Sequence, residues 1–227
     1  MIPKLIVWHH LGLGDHFICN GLVHDLLDKA SVIWLACKSR NVTTVKHLYI
    51  DHPRIQVLDV GDLDGDHEII SLYKYSIRHN VPLLKIGYNG SGDNNFNESF
   101  YNCLGIDFSK RWSLFKLPLN DTTAHEFYNT LIENKNEPYA LVNNSGSVGE
   151  FDLKINTNLK IYSITPKLTP SMLDWKYVVE HAAEIHSIDS SFIHFADSLN
   201  LNSNLYYHDV NRGSKFVLKH NWETVKY

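Results

Sequence analysis

The chain has 227 residues and a formal net charge of −4. Hydrophobic residues make up 44% of it, enough to bury one large core or two smaller ones, and this argues against intrinsic disorder. The acidic balance argues against a general nucleic-acid-binding protein, which presents a basic face. The cysteines are scattered and form no CxxC pair, which is typical of a reducing compartment. No apolar run reaches the roughly 20 residues of a membrane-spanning helix, so we expect a cytoplasmic protein.

Strands and helices alternate along the first half of the chain. Short apolar runs predict strands over residues 5–9, 32–36, 55–59 and 83–87. Helical periodicity predicts helices over residues 16–27, 42–49 and 68–78. After them we expect, in order, a polar glycine-rich loop, a helix and an extended aromatic segment, at 89–95, 96–104 and 110–118.

The same alternation continues from residue 121 onward. Strands are predicted over residues 139–143, 160–164, 184–188 and 205–208. Helices are predicted over residues 122–134, 172–181 and 191–199. Such alternation is typical of α/β proteins with mostly parallel sheets. We therefore predict two sequential α/β lobes, 1–120 and 121–227, with a cleft between them.

A glycine-rich turn near the N-terminus places a carboxylate at the start of a helix. The strand over 5–9 is followed by Gly12-Leu13-Gly14-Asp15-His16 and then by an apolar helical run. Ligands of open α/β sheets bind at the carboxyl ends of strands. Asp15 could act there as a general base on a substrate hydroxyl. Alternatively, Asp15 is only the N-cap of the helix.

A second polar turn follows the strand predicted over 184–188. Asp189-Ser190-Ser191 precedes a helix that contains His194. Hydroxyls and backbone N–H groups at such a turn form an anion site suited to a diphosphate. The alternative is that Asp189 or Ser190 caps the helix while His194 packs inside.

Other motifs indicate different chemistry and are weaker. Asp62-Leu63-Asp64-Gly65-Asp66 contains an Asp-x-Asp pair that could hold Mg²⁺ or Mn²⁺, but its surroundings favour a solvated turn. The histidines match no standard zinc spacing. The two glycines at 12 and 14 lack the third glycine of the dinucleotide fingerprint, because Phe17 stands in its place.

Two segments of the chain resemble a known family of enzymes. Gly12-Leu13-Gly14-Asp15-His16-Phe17-Ile18 and Ile188-Asp189-Ser190-Ser191-Phe192-Ile193-His194-Phe195-Ala196 resemble the GT-B-fold glycosyltransferases, especially their heptosyltransferase-like group. The segment 96–112 is similar to small members of that group. The resemblance spans most of the chain and implies two Rossmann-like lobes, the second of which binds the donor.

On the first lobe, the resemblance implies the acceptor side of the reaction. Asp15 matches the family's catalytic base, which takes a proton from the acceptor hydroxyl of a glycan or related molecule. Gly14 and His16 flank it, and we expect His10 to line the acceptor site. The tripeptide Tyr88-Asn89-Gly90 would shape an acceptor loop.

On the second lobe, the resemblance implies binding of a nucleotide-sugar donor. Asp189, Ser190, Ser191 and His194 match the donor-phosphate segment. The implied reaction is inverting sugar transfer without a metal, so we expect no cofactor.

The chain departs from the family where a basic residue normally meets the phosphates. The loop 143–150 contains no Arg or Lys before Lys154, so Lys154, Lys167 or Arg212 would have to reach the diphosphate. Backbone N–H groups of this Asn- and Gly-containing loop could also bind it. The departure leaves a non-catalytic nucleotide- or sugar-binding domain as the alternative function. A dinucleotide-dependent epimerase or reductase is the third.

Overall fold

The computed structural model describes residues 1–62, 66–87, 95–210, 213 and 215–227. The chain divides into two compact units, Met1–Leu119 and Asn120–Tyr227. Each unit has its own parallel sheet flanked by helices, which confirms the predicted α/β class. The expected acceptor loop 88–90 lies outside the described residues, as do Asp64 and Arg212.

The first unit alternates strands and helices as its apolar pattern predicts. Its strands are β1 (Ile2–Trp8), β2 (Ala30–Cys37), β3 (Ile55–Asp59) and β4 (Leu83–Lys85). Its helices are α1 (Leu13–Ile18), α2 (Asn20–Leu26), α3 (Val42–Leu48), α4 (Asp66–His79), α5 (Phe96–Asn102) and α6 (Lys110–Ser113), with a 3₁₀-helix at Ser39–Asn41.

The first sheet has the order β3-β2-β1-β4, and all its pairs are parallel. The chain adds β2 and β3 on one side of β1 and then β4 on the other. The strand order therefore reverses between β1 and β4, the position at which open α/β sheets bind ligands. Trp8 is the register partner of Lys85 at this point.

The helix predicted over 16–27 is two helices, α1 and α2, separated at Cys19. The side-chain amide of Asn20 pairs with the backbone of Lys116, donating to its carbonyl (3.3 Å) and accepting from its N–H (2.8 Å). Gly21 brings α2 against α6, since a Cβ on Gly21 would lie 2.1 Å from the carbonyl oxygen of Lys110. The extended segment predicted over 110–118 is wrong at its start, where α6 forms.

The second unit repeats the α/β pattern. Its strands are β5 (Tyr139–Asn143), β6 (Ser145–Gly146), β7 (Gly149–Glu150), β8 (Lys160–Ser163), β9 (Glu184–Ser187), β10 (Asn204–Asp209) and β11 (Glu223–Lys226). Its helices are α7 (Thr122–Leu131), α8 (Lys176–Glu180) and α9 (Ser191–Ala196). The helix predicted over 172–181 begins as a 3₁₀-helix at Met172–Trp175.

The second sheet has the order β11-β10-β9-β5-β8 and is also entirely parallel. The strand order reverses between β5 and β9, where Asn143 is the register partner of Ser187. Two features were not predicted: the antiparallel β6–β7 hairpin and the edge strand β11. The buried carboxylate of Asp197 holds the approach to β11 by accepting from the backbone N–H of Lys219 (2.8 Å) and the indole N–H of Trp222 (3.1 Å).

Several histidines lie in the interior and are held neutral there. Loss of hydration on burial lowers the pKa of His16 and of His24 to about 3. Burial, with the neighbouring His186, lowers the pKa of His208 to about 4. Because an unfolded chain restores a pKa of about 6.5, these histidines take up protons on unfolding and link stability to pH.

None of the helices in the described ranges combines the length and apolar composition required to cross a bilayer.

Gly21→Ala tests the close contact between α2 and α6. The added methyl would overlap a backbone carbonyl that cannot rotate away, so we expect the free energy of unfolding to fall by about 2 kcal/mol or more. Urea denaturation measures the change. Gly146→Ala is the control, because the nearest neighbour of its Cβ is 3.5 Å away. Equal stability of the two variants would contradict the prediction.

The buried histidines predict that stability falls in mild acid. Above pH 6.5 both states are neutral, whereas between about pH 6.5 and 4 only the unfolded state is protonated, at up to about 1.4 kcal/mol per pH unit for each histidine. Urea midpoints measured from neutral pH downward should therefore decrease steadily. His24→Phe removes one buried histidine and should reduce this slope. A slope equal to that of the unchanged protein would contradict the assignment.

Candidate functional site

In the first unit, Asp15 lies in the first turn of α1. The N-cap is Gly12, and Asp15 is the third helical residue. The interpretation of Asp15 as the N-cap is therefore wrong, although its carboxylate does contribute to the helix start. The backbone N–H of Gly12 donates to Oδ2 of Asp15 at 3.0 Å. Asp15 is only 8% exposed.

The turn before Asp15 is tightly constrained. Leu11 is fully buried and has a φ of 54°, a left-handed conformation that is costly for a branched side chain. Its carbonyl accepts from the Asn41 side chain at 3.1 Å. A Cβ on Gly12 would lie 2.8 Å from Oδ2 of Asp15, so a side chain at position 12 would displace the carboxylate. Gly14, partly exposed, is the second residue of α1.

His10 lies where the strand order of the first sheet reverses. Its Nε2 is 3.0 Å from the carbonyl oxygen of Gly87, the residue that follows β4 closely. Gly87 has a φ of 80°, and a Cβ there would lie 2.5 Å from the ring of Phe100. The imidazole of His10 also contacts Phe100, with ring centroids 5.3 Å apart. Burial, the largest effect, lowers the pKa of His10.

His16 points into the interior of the first unit. It is fully buried, and its ring meets that of His9 edge-on with centroids 4.4 Å apart. Within the described part of the chain, neither ring nitrogen of either histidine has a hydrogen-bond partner. Burial lowers the pKa of His9 well below its usual value. Both imidazoles are therefore neutral at physiological pH.

A buried ion pair that the sequence pattern does not predict lies at the carboxyl ends of the strands of the first sheet. Lys38 follows β2, Glu68 lies in the first turn of α4, and their charged groups are 3.3 Å apart. The indole N–H of Trp8 donates to Glu68 at 2.6 Å. The sequence feature that could have indicated this pair is that Lys38 directly follows one apolar strand and Trp8 ends another.

In the second unit, Ser190 lies at the reversal of strand order. It is the N-cap of α9, and its hydroxyl accepts from the backbone N–H of Phe192 at 3.3 Å. The side-chain amide of Asn143, at the end of β5, donates to the same hydroxyl at 2.8 Å. Asn143 is 3% exposed, so this amide fixes the Ser190 side chain from the interior of the unit.

The neighbours of Ser190 differ in exposure. Ser191 is partly exposed, whereas Asp189 is 8% exposed. The β6–β7 hairpin packs beside the turn, because a Cβ on Gly146 would lie 3.5 Å from the Cβ of Ser190. Asp189, Ser190, Ser191 and the hairpin therefore form one local group.

His194 is directed into the second unit. It is 4% exposed, and its ring packs edge-on against Phe216 with centroids 5.4 Å apart. His194 thus has a packing role in this structure. Its proposed contact with a donor phosphate stays a prediction.

Lys154 contacts Tyr227 through both its backbone and its side chain. Its backbone N–H donates to the hydroxyl of Tyr227 at 2.6 Å, and its ammonium group lies 4.5 Å from the centre of that ring. The Tyr227 hydroxyl is 2.8 Å from Nδ1 of His208, whose Nε2 is 3.0 Å from Nδ1 of His186. This chain of hydrogen bonds anchors the segment after the hairpin to β9, β10 and β11.

Asp62, from the Asp-x-Asp motif, is exposed and accepts from the backbone N–H of Arg40 at 3.3 Å. Among the described residues, no group of three or more His, Cys, Asp or Glu side chains has a geometry that could hold a metal ion.

No protein-family model and no curated protein matches the chain. Solved structures do share its fold. A family 9 glycosyl transferase from Veillonella parvula has a TM-score of 0.60 and 12% identity, with 100% of this chain and 86% of that chain covered. E. coli ADP-heptose LPS heptosyltransferase II has a TM-score of 0.55 and 10% identity, with 99% and 90% covered.

A further match is TibC from enterotoxigenic E. coli, described as an iron-containing dodecameric glycosyltransferase. It has a TM-score of 0.54 and 14% identity, with 91% of this chain and 58% of that chain covered. Identities this low establish the fold alone. The chain therefore has the α/β, GT-B-like fold of these glycosyltransferases.

Proposed function

We propose that this protein is a glycosyltransferase that moves a sugar from a nucleotide-sugar donor to a hydroxyl acceptor. The observation that carries the proposal is the likeness in fold to two glycosyltransferases over nearly the whole chain. The positions of two residues support it, because Asp15 follows β1, an inner strand at the reversal point of the first sheet, and Ser190 lies at the reversal point of the second. Fold alone does not determine function, so the chemistry of these residues has to be tested.

Asp15 is the proposed general base. Its carboxylate takes the proton of the acceptor hydroxyl, and the hydroxyl oxygen attacks the anomeric carbon from the face opposite the leaving group. The bond from that carbon to the diphosphate oxygen breaks, and the nucleoside diphosphate leaves with the electron pair. The bond from the Gly12 N–H to Oδ2 fixes the position of the carboxylate.

The turn of Asp189, Ser190 and Ser191 is the proposed diphosphate site. Asn143 holds the Ser190 hydroxyl at 2.8 Å, so little ordering is needed when the donor binds. Hydroxyl and backbone N–H donors would stabilise the charge that grows on the leaving diphosphate. Lys154 and His194 remain proposed contacts of the donor. The residues proposed to surround the acceptor are His10, Gly14 and His16. The reaction is proposed to need no metal.

The first donors to test are ADP-sugars, because the matching E. coli enzyme is named for ADP-heptose. A thermal-shift panel of nucleotide sugars and nucleotides, with EDTA or with Mg²⁺, identifies the donor class. At a concentration 100 times the dissociation constant, a ligand stabilises the fold by about 2.7 kcal/mol. A shift in EDTA supports the proposal, and a shift that requires Mg²⁺ contradicts its metal independence.

A non-catalytic nucleotide- or sugar-binding domain is the second candidate function. It is favoured by one observation, the absence of Arg and Lys from residues 143–150. Ligand-induced stabilisation without transfer to any acceptor would support it.

Asp15→Asn separates the catalytic role of Asp15 from its structural role. The amide oxygen can still accept from Gly12 but cannot take a proton, so we expect kcat to fall at least about 100-fold with little change in melting temperature. Transfer of radiolabelled sugar to a glycan acceptor library measures kcat. Asp28→Asn, at an exposed position, is the matched control. Retained turnover in Asp15→Asn removes Asp15 from the mechanism.

Asn143→Ala tests the support of Ser190. Loss of the amide removes the Asn143 donor and leaves the Ser190 hydroxyl with the weaker bond from the Phe192 N–H. We therefore expect the dissociation constant of the donor or its nucleoside diphosphate to rise about tenfold. Titration calorimetry measures it, and Asn136→Ala, at an exposed position, is the control. Equal affinities of the two variants would show that donor binding does not depend on the support of Ser190 by Asn143.

A further inference from the structure

Helix α4 carries an apolar stripe that faces away from the sheet. Its inner side includes Leu72, which is 1% exposed and packs in the core. On the opposite side Ile70, Tyr73 and Ile77 are 46%, 50% and 80% exposed. Their spacing of i, i+3 and i+7 aligns them along one line of the helix. Large apolar side chains so arranged form a continuous patch.

A basic stripe runs beside the apolar one. Lys74 and Arg78 are exposed and lie one turn apart, and exposed His67 lies on the same side towards the start of the helix. The one acidic residue between positions 67 and 79 is Glu68, which is buried and paired with Lys38. Apart from Asp66, its exposed first residue, the outer side of α4 is therefore cationic. The whole chain, in contrast, has a net charge of −4.

Aromatic side chains extend the basic edge of α4 towards the sheet. The ring of Tyr75 lies 5.8 Å from that of Trp34 and 4.2 Å from that of His79. The exposed Lys4 places its ammonium group 4.6 Å from the Trp34 ring. Tyrosine, tryptophan and lysine are the side chains typical of surfaces that meet lipid headgroups.

We propose that the outer face of α4 docks on an anionic lipid surface. The apolar stripe would enter the boundary between headgroups and acyl chains while Lys74 and Arg78 meet the lipid phosphates. This inference is independent of the proposed transferase activity.

The size and charge of the face favour a lipid surface over a protein partner. The three apolar side chains expose on the order of 300 Å², a small apolar centre for a stable protein interface, which buries roughly 800 Å² per partner in total. A second copy pairing through this face would bring the cationic side chains Lys74 and Arg78 of both copies into one interface. A lipid bilayer needs no groove and supplies the opposite charge.

The test is flotation of the full chain with phosphatidylcholine vesicles, with and without 30% phosphatidylglycerol. We expect binding to the anionic vesicles only, and release at high salt because the Debye length shortens. The double variant Lys74→Gln/Arg78→Gln should bind about 25-fold less, at about fivefold for each charge. Ile70→Ser/Ile77→Ser should lose at least tenfold.

Matched controls alter the same residue types elsewhere. Ile50→Ser/Ile161→Ser replaces isoleucines that are 65% and 48% exposed, and Lys29→Gln/Lys135→Gln removes two exposed charges. Both should bind like the unchanged protein, and circular dichroism verifies that all variants fold. The proposal is overturned if the chain does not float with anionic vesicles or if the α4 variants float like the controls. It is also overturned if light scattering shows that Ile70→Ser/Ile77→Ser dissociates a dimer, since a second copy would then cover the face.

Discussion

The strand order of the two parallel sheets determines where the candidate site residues lie. Parallel neighbours require crossovers, and in each sheet the chain adds strands to one side of its first strand and then to the other. In open α/β sheets, crossovers that depart in opposite directions leave a crevice outside the carboxyl ends of the strands at the reversal point. The segments that leave these reversal points carry the Asp15 turn in one unit and the Ser190 turn in the other. The sheet topology thus determines which end of each sheet carries the candidate residues, and local contacts determine their orientation.

Local strain then sets the orientation of Asp15. Leu11 is held in a left-handed conformation that costs about 1–2 kcal/mol, and its full burial offsets this cost. The conformation turns the chain so that Gly12 presents its N–H to Asp15. Because only a glycine leaves room for the carboxylate, sequence and geometry agree at this turn. A carboxylate fixed in this way suits proton transfer better than one on a mobile loop.

The parts of the fold that depend on local pattern could be predicted from sequence, and the parts that depend on distant contacts could not. The strands over 55–59 and 139–143 agree with prediction at both ends, because apolar runs bounded by polar residues specify them. The break at Cys19 depends on Asn20 and Lys116, which are 96 residues apart. Strand β11 is short and mostly exposed, and Asp197 anchors the segment before it through contacts 22 to 25 residues away.

The Ser190 turn shows the same division, with a consequence for the chemistry proposed for it. The cap by Ser190 follows from local sequence, whereas its support by Asn143 joins residues 47 positions apart. Lys154, the first cation after the 143–150 loop, stacks on Tyr227. The groups described in the Ser190 turn are therefore neutral donors together with the carboxyl group of Asp189. Neutral donors bind a diphosphate less strongly than an Arg or Lys does. Under the proposed reaction they would also retain the charged nucleoside diphosphate less, so weaker donor binding would accompany faster release of this product.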